Sequence, residues 1–253
     1  ANCSAAGRPS AQIFPSISLS TRSSRSVTWY SPAVRVRTMS VSTADASCAI
    51  TVAIATPAAQ SVAGATSDIP ILLTAVTDPA ESGLVESNDA PGGNVTGTSD
   101  MTPVKEQIDL LKKLIPDAKT VGILYCSAEP NSQYQVDEMT KYLTELGLTA
   151  TAYAFTDTND VASVTQAACD ASDVLYIPTD NTAASNTEAI ANVVLPAGVP
   201  VIAGEEGICS GCGVATLSIS YYDLGYTTGE MAAKVLTGEA DISTMPVEYT
   251  NVT

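Results

Sequence analysis

Short apolar runs alternate with amphipathic ones along most of this 253-residue chain, and no other property restricts its fold so much. Val174-Leu-Tyr-Ile177 is unbroken and too short for a helix, which suits a strand covered on both faces. A polar turn, Thr179-Asp180-Asn181, follows it, and residues 183–195 then have helical spacing. The same rhythm places strands at 51–55, 69–76, 120–125, 149–155, 199–203 and 214–219, and a short one at 246–249. Between them lie helices at 57–65, 103–114, 132–146, 159–171 and 221–236. Residues 88–98, with Pro91-Gly92-Gly93 and Gly97, read as a hinge loop at a lobe boundary. Such alternation predicts an α/β fold of parallel sheets flanked on both faces by helices.

Open parallel sheets bind ligands in the crevice beyond the carboxyl ends of their strands. Five such ends here carry polar groups. They are Thr56, where Pro57 and Ala58 open a helix; Thr77 with Asp78; Glu129 with Asn131 and Ser132; Thr179 with Asp180 and Asn181; and Glu205 beside Glu206. Any one of them can serve merely as a helix cap. Together they converge on one crevice, so they form the candidate ligand-binding set. Asp78, Asp180 and Glu205 suit an ammonium or several hydroxyls, while backbone N–H groups after Thr56 and at Ser132 suit a carboxylate. An amino acid satisfies both. Tyr125, Tyr134 and Tyr153 are read either as core residues or as an aromatic platform.

Composition removes several function classes. There is no histidine, which excludes Ser-His-Asp and Cys-His catalysis and histidine-containing zinc sites. A formal charge of −16 opposes nucleic-acid binding, whose phosphates need a basic surface. Of the six cysteines only Cys209 and Cys212 are close, and Cys209-Ser-Gly-Cys212 lies in a loop-like stretch without the second pair of a zinc site. Gly92-Gly-Asn-Val-Thr-Gly97 lacks the Lys-Ser/Thr ending of a phosphate loop. No cofactor and no metal are expected.

The first 44 residues stand apart. They hold all five arginines and no acidic residue, whereas every acidic residue and all six lysines come later. An Arg/Ser-rich segment, disordered or foreign to the rest, is the expectation there.

From Val52 to Tyr249 the chain resembles the substrate-binding proteins of ABC transporters, in the tryptophan/tyrosine-type branch. The resemblance is carried by Ala55-Thr-Pro-Ala-Ala-Gln60, Val76-Thr-Asp-Pro79, Pro91-Gly-Gly-Asn-Val-Thr-Gly97, Val121-Gly-Ile-Leu-Tyr125, Glu129-Pro-Asn-Ser132, Pro178-Thr-Asp-Asn181 and Tyr221-Tyr-Asp-Leu-Gly225, in order. It implies a type I periplasmic-binding-protein fold, two Rossmann-like lobes joined by three crossovers with ligand trapped between them. Residues 45–98 and 212–242 would form the first lobe, and 99–207 and 246–253 the second. It also implies a monomer outside the cytoplasm, periplasmic or lipid-anchored, that captures an amino acid and hands it to permease subunits. The family's opening strand and its His-Pro-x-Leu-Asp motif find no match in residues 1–50, and members continue beyond Tyr249. A partial or frameshifted gene product is therefore expected. Two other readings remain open: an α/β enzyme using Asp78, Asp180 and Glu205 as acid and base, and the ligand-sensing domain of a regulator.

Overall fold

The computed structural model describes residues 24–31, 34–43 and 46–251, with side chains from Ile50 onward. A first sheet opens with β1 (Ser24–Ser31), β2 (Val34–Thr43) and β3 (Ala46–Ile54), paired antiparallel. It continues in parallel through β4 (Ile71–Val76) and β5 (Val95–Ser99). The second sheet is parallel throughout. It contains β6 (Thr120–Cys126), β7 (Thr149–Phe155), β8 (Val174–Ile177), β9 (Val201–Ala203) and β10 (Ala215–Thr216), in the spatial order β10-β9-β8-β6-β7. The strand order reverses between β6 and β8, so a crevice opens beyond their carboxyl ends. Last, β11 (Glu248–Tyr249) joins the first sheet beside β5.

Helices cover both sheets as the alternation predicts. In the second lobe Val174 and Tyr176 pack with α2 (Val104–Leu114) and α3 (Pro130–Glu145) through Ile108, Leu111, Met139 and Leu143. Leu175 and Ile177 point the other way, against Val161 of α4 (Val161–Ala171) and Ile190 and Val194 of α6 (Thr187–Ala197). All four β8 side chains are fully buried, each such apolar side chain contributing roughly 1.5–3 kcal/mol. Tyr176 can lie there because its hydroxyl donates to Gln107 Oε1 at 2.6 Å. In the first lobe Ala53, Ile71, Leu73 and Val76 pack with Ala59 of α1 (Thr56–Ala63). Ile50 and Leu72 meet Met231 of α8 (Tyr221–Thr237) on the opposite face.

Several sequence expectations change. Residues 88–98 are not all loop, because Val95 to Ser99 form β5. Gly97 is a close-approach residue there: a Cβ on it would lie 2.2 Å from the Leu73 carbonyl oxygen. Residues 246–249 do not return to the second lobe. The Met245 carbonyl accepts Thr96 Oγ1 at 2.7 Å and Val247 N donates to the Asn88 carbonyl at 2.7 Å, which docks β11 on β5. The described chain therefore crosses between lobes at 100–103 and 217–220, and β10, expected in the first lobe, belongs to the second sheet. Helix 183–195 is two helices, α5 (Asn181–Ser185) and α6, broken where the Asn186 side chain donates back to the Thr182 carbonyl. Cys209 and Cys212 lie in α7 (Glu206–Cys212), not in a loop, and both are free thiols.

Of the atypical first 44 residues, 24–31 and 34–43 are strands rather than disordered. The β-favouring Val27-Thr-Trp-Tyr30 and the alternating Val34-Arg-Val-Arg37 match that outcome. Cys3, Arg8 and Arg22 lie outside the described residues.

Candidate functional site

Between the lobes lies a cavity of about 210 Å³, reached by the ends of β3, β4 and β5 on one side and of β6, β8 and β9 on the other. Of the predicted residues, Thr56, Thr77, Asn131, Thr179, Asp180, Asn181 and Glu205 line it. Asp78 instead lines an adjoining outer cavity of about 200 Å³, where Asp78, Glu81 and Ser82 of the first lobe face Pro130, Tyr134 and Asp137 of the second. Asn131 borders both. Pro57 and Ala58 sit in the first turn of α1 without lining either cavity, and Glu129 and Ser132 are buried behind the wall.

The buried carboxylates have structural duties. Asp180 caps α5 through Oδ1, which accepts Ala183 N at 2.8 Å, while its Oδ2 accepts Cys126 N and Ser132 Oγ, each at 2.7 Å. Burial and the neighbouring Glu129 carboxylate push its pKa up to about 6. Glu129 receives Thr182 N and Oγ1 on Oε1, at 2.9 and 2.7 Å, and Asn181 N and Nδ2 on Oε2, at 3.1 and 2.7 Å. Glu205 accepts the Gly207 and Ile208 amides at the start of α7. Asp78 closes its own turn, accepting Ala80 N at 3.0 Å and Asn88 Nδ2 at 3.0 Å. These groups shape the cleft. Both oxygens of Asp180, Glu129 and Glu205 already accept protein donors, whereas the bonds to Asp78 all fall on its Oδ1.

Two lining residues were missed that differ in this respect. Asp100 follows β5 at the first crossover, and Tyr221 begins α8 at the second. The Tyr221 hydroxyl stands 3.4 Å from Asp100 Oδ2, but Asp100 Oδ1 has no hydrogen-bond partner although the residue is only 6% exposed. Burial drives the Asp100 pKa up to about 6, opposed by the Thr77 and Tyr221 hydroxyls, with the Glu205 charge adding to the rise. Tyr221 is pushed well above its ordinary value by burial and then by Asp100. Asp100 was findable: treating Val95-Thr-Gly-Thr-Ser99 as a strand puts it at a strand's carboxyl end.

The first lobe contributes strained backbone, and each lobe contributes an uncapped helix start. Ala55 (φ 70°) and Ala75 (φ 55°) hold conformations that favour glycine, both at strand ends beside the cavity. No side chain caps α1 or α3, so the amides of Thr56 and Asn131 are positioned to meet an acceptor from the cleft. Of the tyrosines, Tyr134 lines the outer cavity, whereas Tyr125 is core, its hydroxyl donating to Gln133 Oε1 at 2.9 Å.

A family model described as "ABC transporter substrate binding protein" matches residues 35–253, starting inside the segment that the composition set apart. The chain belongs to that family. It is 40% identical over 202 residues to the "Tyrosine-binding protein" of Clostridioides difficile, covering 79% of its own length and 59% of that relative's. It is 39% identical to a Streptococcus pneumonia domain solved in complex with L-Trp, with a TM-score of 0.76 over 79% of this chain and 69% of that one. Against the ligand-free, open structure of a Clostridium difficile substrate binding protein with adhesive properties, identity is 42% at the same coverages, yet the TM-score is 0.61. The lobes thus superpose better on the ligand complex. Solved regulators of the LacI family, at 13–15% identity and TM-scores of 0.52–0.55, share the fold alone. No helix among the described residues is long and apolar enough to cross a membrane.

Proposed function

We propose that this chain is the extracytoplasmic solute-binding component of an ABC importer, capturing an aromatic amino acid in the interlobe cleft and presenting it to a membrane permease. The observation that carries this reading is the cavity itself. It sits between two lobes joined at two short crossovers, with an uncapped helix start in each lobe and an unfilled carboxylate oxygen at the first crossover. Those two kinds of group are what a zwitterion's carboxylate and ammonium require. The aromatic preference is supported by the relatives, one named for tyrosine and one solved with L-Trp, and by Tyr134 and Tyr221 at the cavities. Ligand bridging both lobes selects the closed arrangement, which a permease can distinguish from the open one.

Titration calorimetry of the chain against the twenty amino acids and a panel of sugars tests the reading. Heat is expected from L-tyrosine or L-tryptophan. Silence with every amino acid would overturn it.

A further inference from the structure

We propose that Asp100 and Asn131, rather than Asp180, hold the ligand's ammonium group, so that the cleft selects for a cationic amine. This rests on the amino-acid reading above and narrows it. Five buried side-chain oxygens among the described residues lack a hydrogen-bond partner, and of these only Asp100 Oδ1 and Asn131 Oδ1 belong to residues lining the inner cavity. Asp100 is 6% exposed and Asn131 4%, so neither oxygen is satisfied by bulk water.

The chemistry of the two atoms specifies their occupant. The other three are hydroxyls, which rotate and can donate, whereas a carboxylate oxygen and an amide carbonyl oxygen only accept. The Asn131 amide is held in this orientation because its Nδ2 faces oxygens: the Thr179 carbonyl at 3.1 Å, and Glu129 Oε2 and Ser132 Oγ, each at 3.4 Å. Turning it over would set oxygen against oxygen. An ammonium brings three donors and no acceptor, and its charge offsets that of a carboxylate otherwise disfavoured by burial. The competing carboxylates do not qualify, since Asp180 and Glu205 lie at the cavity with both oxygens already receiving protein N–H or O–H groups.

The placement also supplies a mechanism for closure. Asp100 lies in the first crossover and Asn131 in the first turn of α3, in the second lobe. A ligand amine shared between them ties the hinge to the body of that lobe.

Calorimetry on the parent chain and D100N, with L-tyrosine, L-tryptophan and the same two acids lacking the amino group, tests this. The parent is expected to bind the amino acids at least about tenfold more tightly than the amine-free acids. D100N is expected to lose about tenfold or more on the amino acids and less than about threefold on the amine-free acids. D100N binding the amino acids like the parent, or a parent indifferent to the amine, would overturn the assignment and leave the amino-acid reading intact. A parent that binds no amino acid overturns both. Thermal melting verifies that D100N folds; if it does not, the parent's preference for the amine decides alone.

Discussion

Asp180 Oδ2 accepts the Ser132 hydroxyl hydrogen at 2.7 Å, a bond that fastens the turn after β8 to the first turn of α3. The same oxygen takes Cys126 N, and Oδ1 takes Ala183 N. An asparagine has one acceptor atom where the carboxylate has two, so one orientation or the other sets its NH2 against a backbone N–H. Asp180→Asn is therefore expected to cost about 1–3 kcal/mol, partly offset by relief from Glu129. A fall in melting temperature of several degrees checks this, at roughly 2–4 °C per kcal/mol for a chain of this size. An unchanged melt would show that capping is its whole duty.

Asp100→Asn is expected to act in the opposite direction on the ligand-free chain. Its pKa is about 6 when folded against 3.8 ordinarily, so between those values the folded state holds a proton that the unfolded state releases. Stability from this group is present at acid pH and is lost as pH rises through about 6. Near neutrality the amide variant should melt a few degrees higher than the parent, and the difference should shrink toward about pH 4.5. Asp180 titrates in the same sense, so the variant removes only part of the parent's pH dependence. Scanning calorimetry across about pH 4.5–8 measures both slopes.

Ligand affinity should run the other way with pH. Protonation of Asp100 below about 6 removes the charge that an amine needs, so amino-acid binding is expected to weaken on acidification while the empty protein gains stability. Calorimetric titrations at about pH 5 and pH 7.5 separate the two effects, and D100N should show the weaker pH response.

Tyr176→Phe is a control away from the cleft. It leaves Gln107 Oε1 without the hydroxyl at 2.6 Å, inside the fully buried centre of the second lobe. A loss of about 1–2 kcal/mol in urea unfolding is expected, with ligand affinity unchanged.

Gly97→Ala should be far more severe. Its Cβ would fall 2.4 Å from Leu73 N as well as 2.2 Å from Leu73 O, and both are backbone atoms of the paired strand. With φ at +153°, the residue has no relaxed alternative for an L side chain. Loss of cooperative unfolding, read by circular dichroism during heating, is the expected outcome.

The sequence made the second lobe largely legible because its strands are short, apolar and buried on both faces, as Val174 to Ile177 illustrate. Polar strand ends located the crevice for the same reason. What escaped was position-dependent. Gly97, so soon after Pro91-Gly92-Gly93, signals a loop when read locally, and only the contact with Leu73 shows why glycine suits a strand there. Asp100 was hidden with it. A capping residue and a ligand-facing residue look alike in sequence until the partners of each oxygen are known, as Asp180 illustrates. The residue's place came from the pattern, and its role from the third dimension.

The second sheet and its helices are written in one uninterrupted stretch, from α2 to β10, inserted between β5 and the helix that completes the first sheet. The consequence concerns the order of folding. The inserted lobe has every strand it needs as soon as β10 has been synthesised, and its neighbours in space are mostly neighbours in sequence. The first lobe must wait. Ile50 and Leu72 find Met231 and Met245 only after the intervening lobe has passed, so that half of the molecule is expected to form last, its apolar surface staying open until α8 arrives.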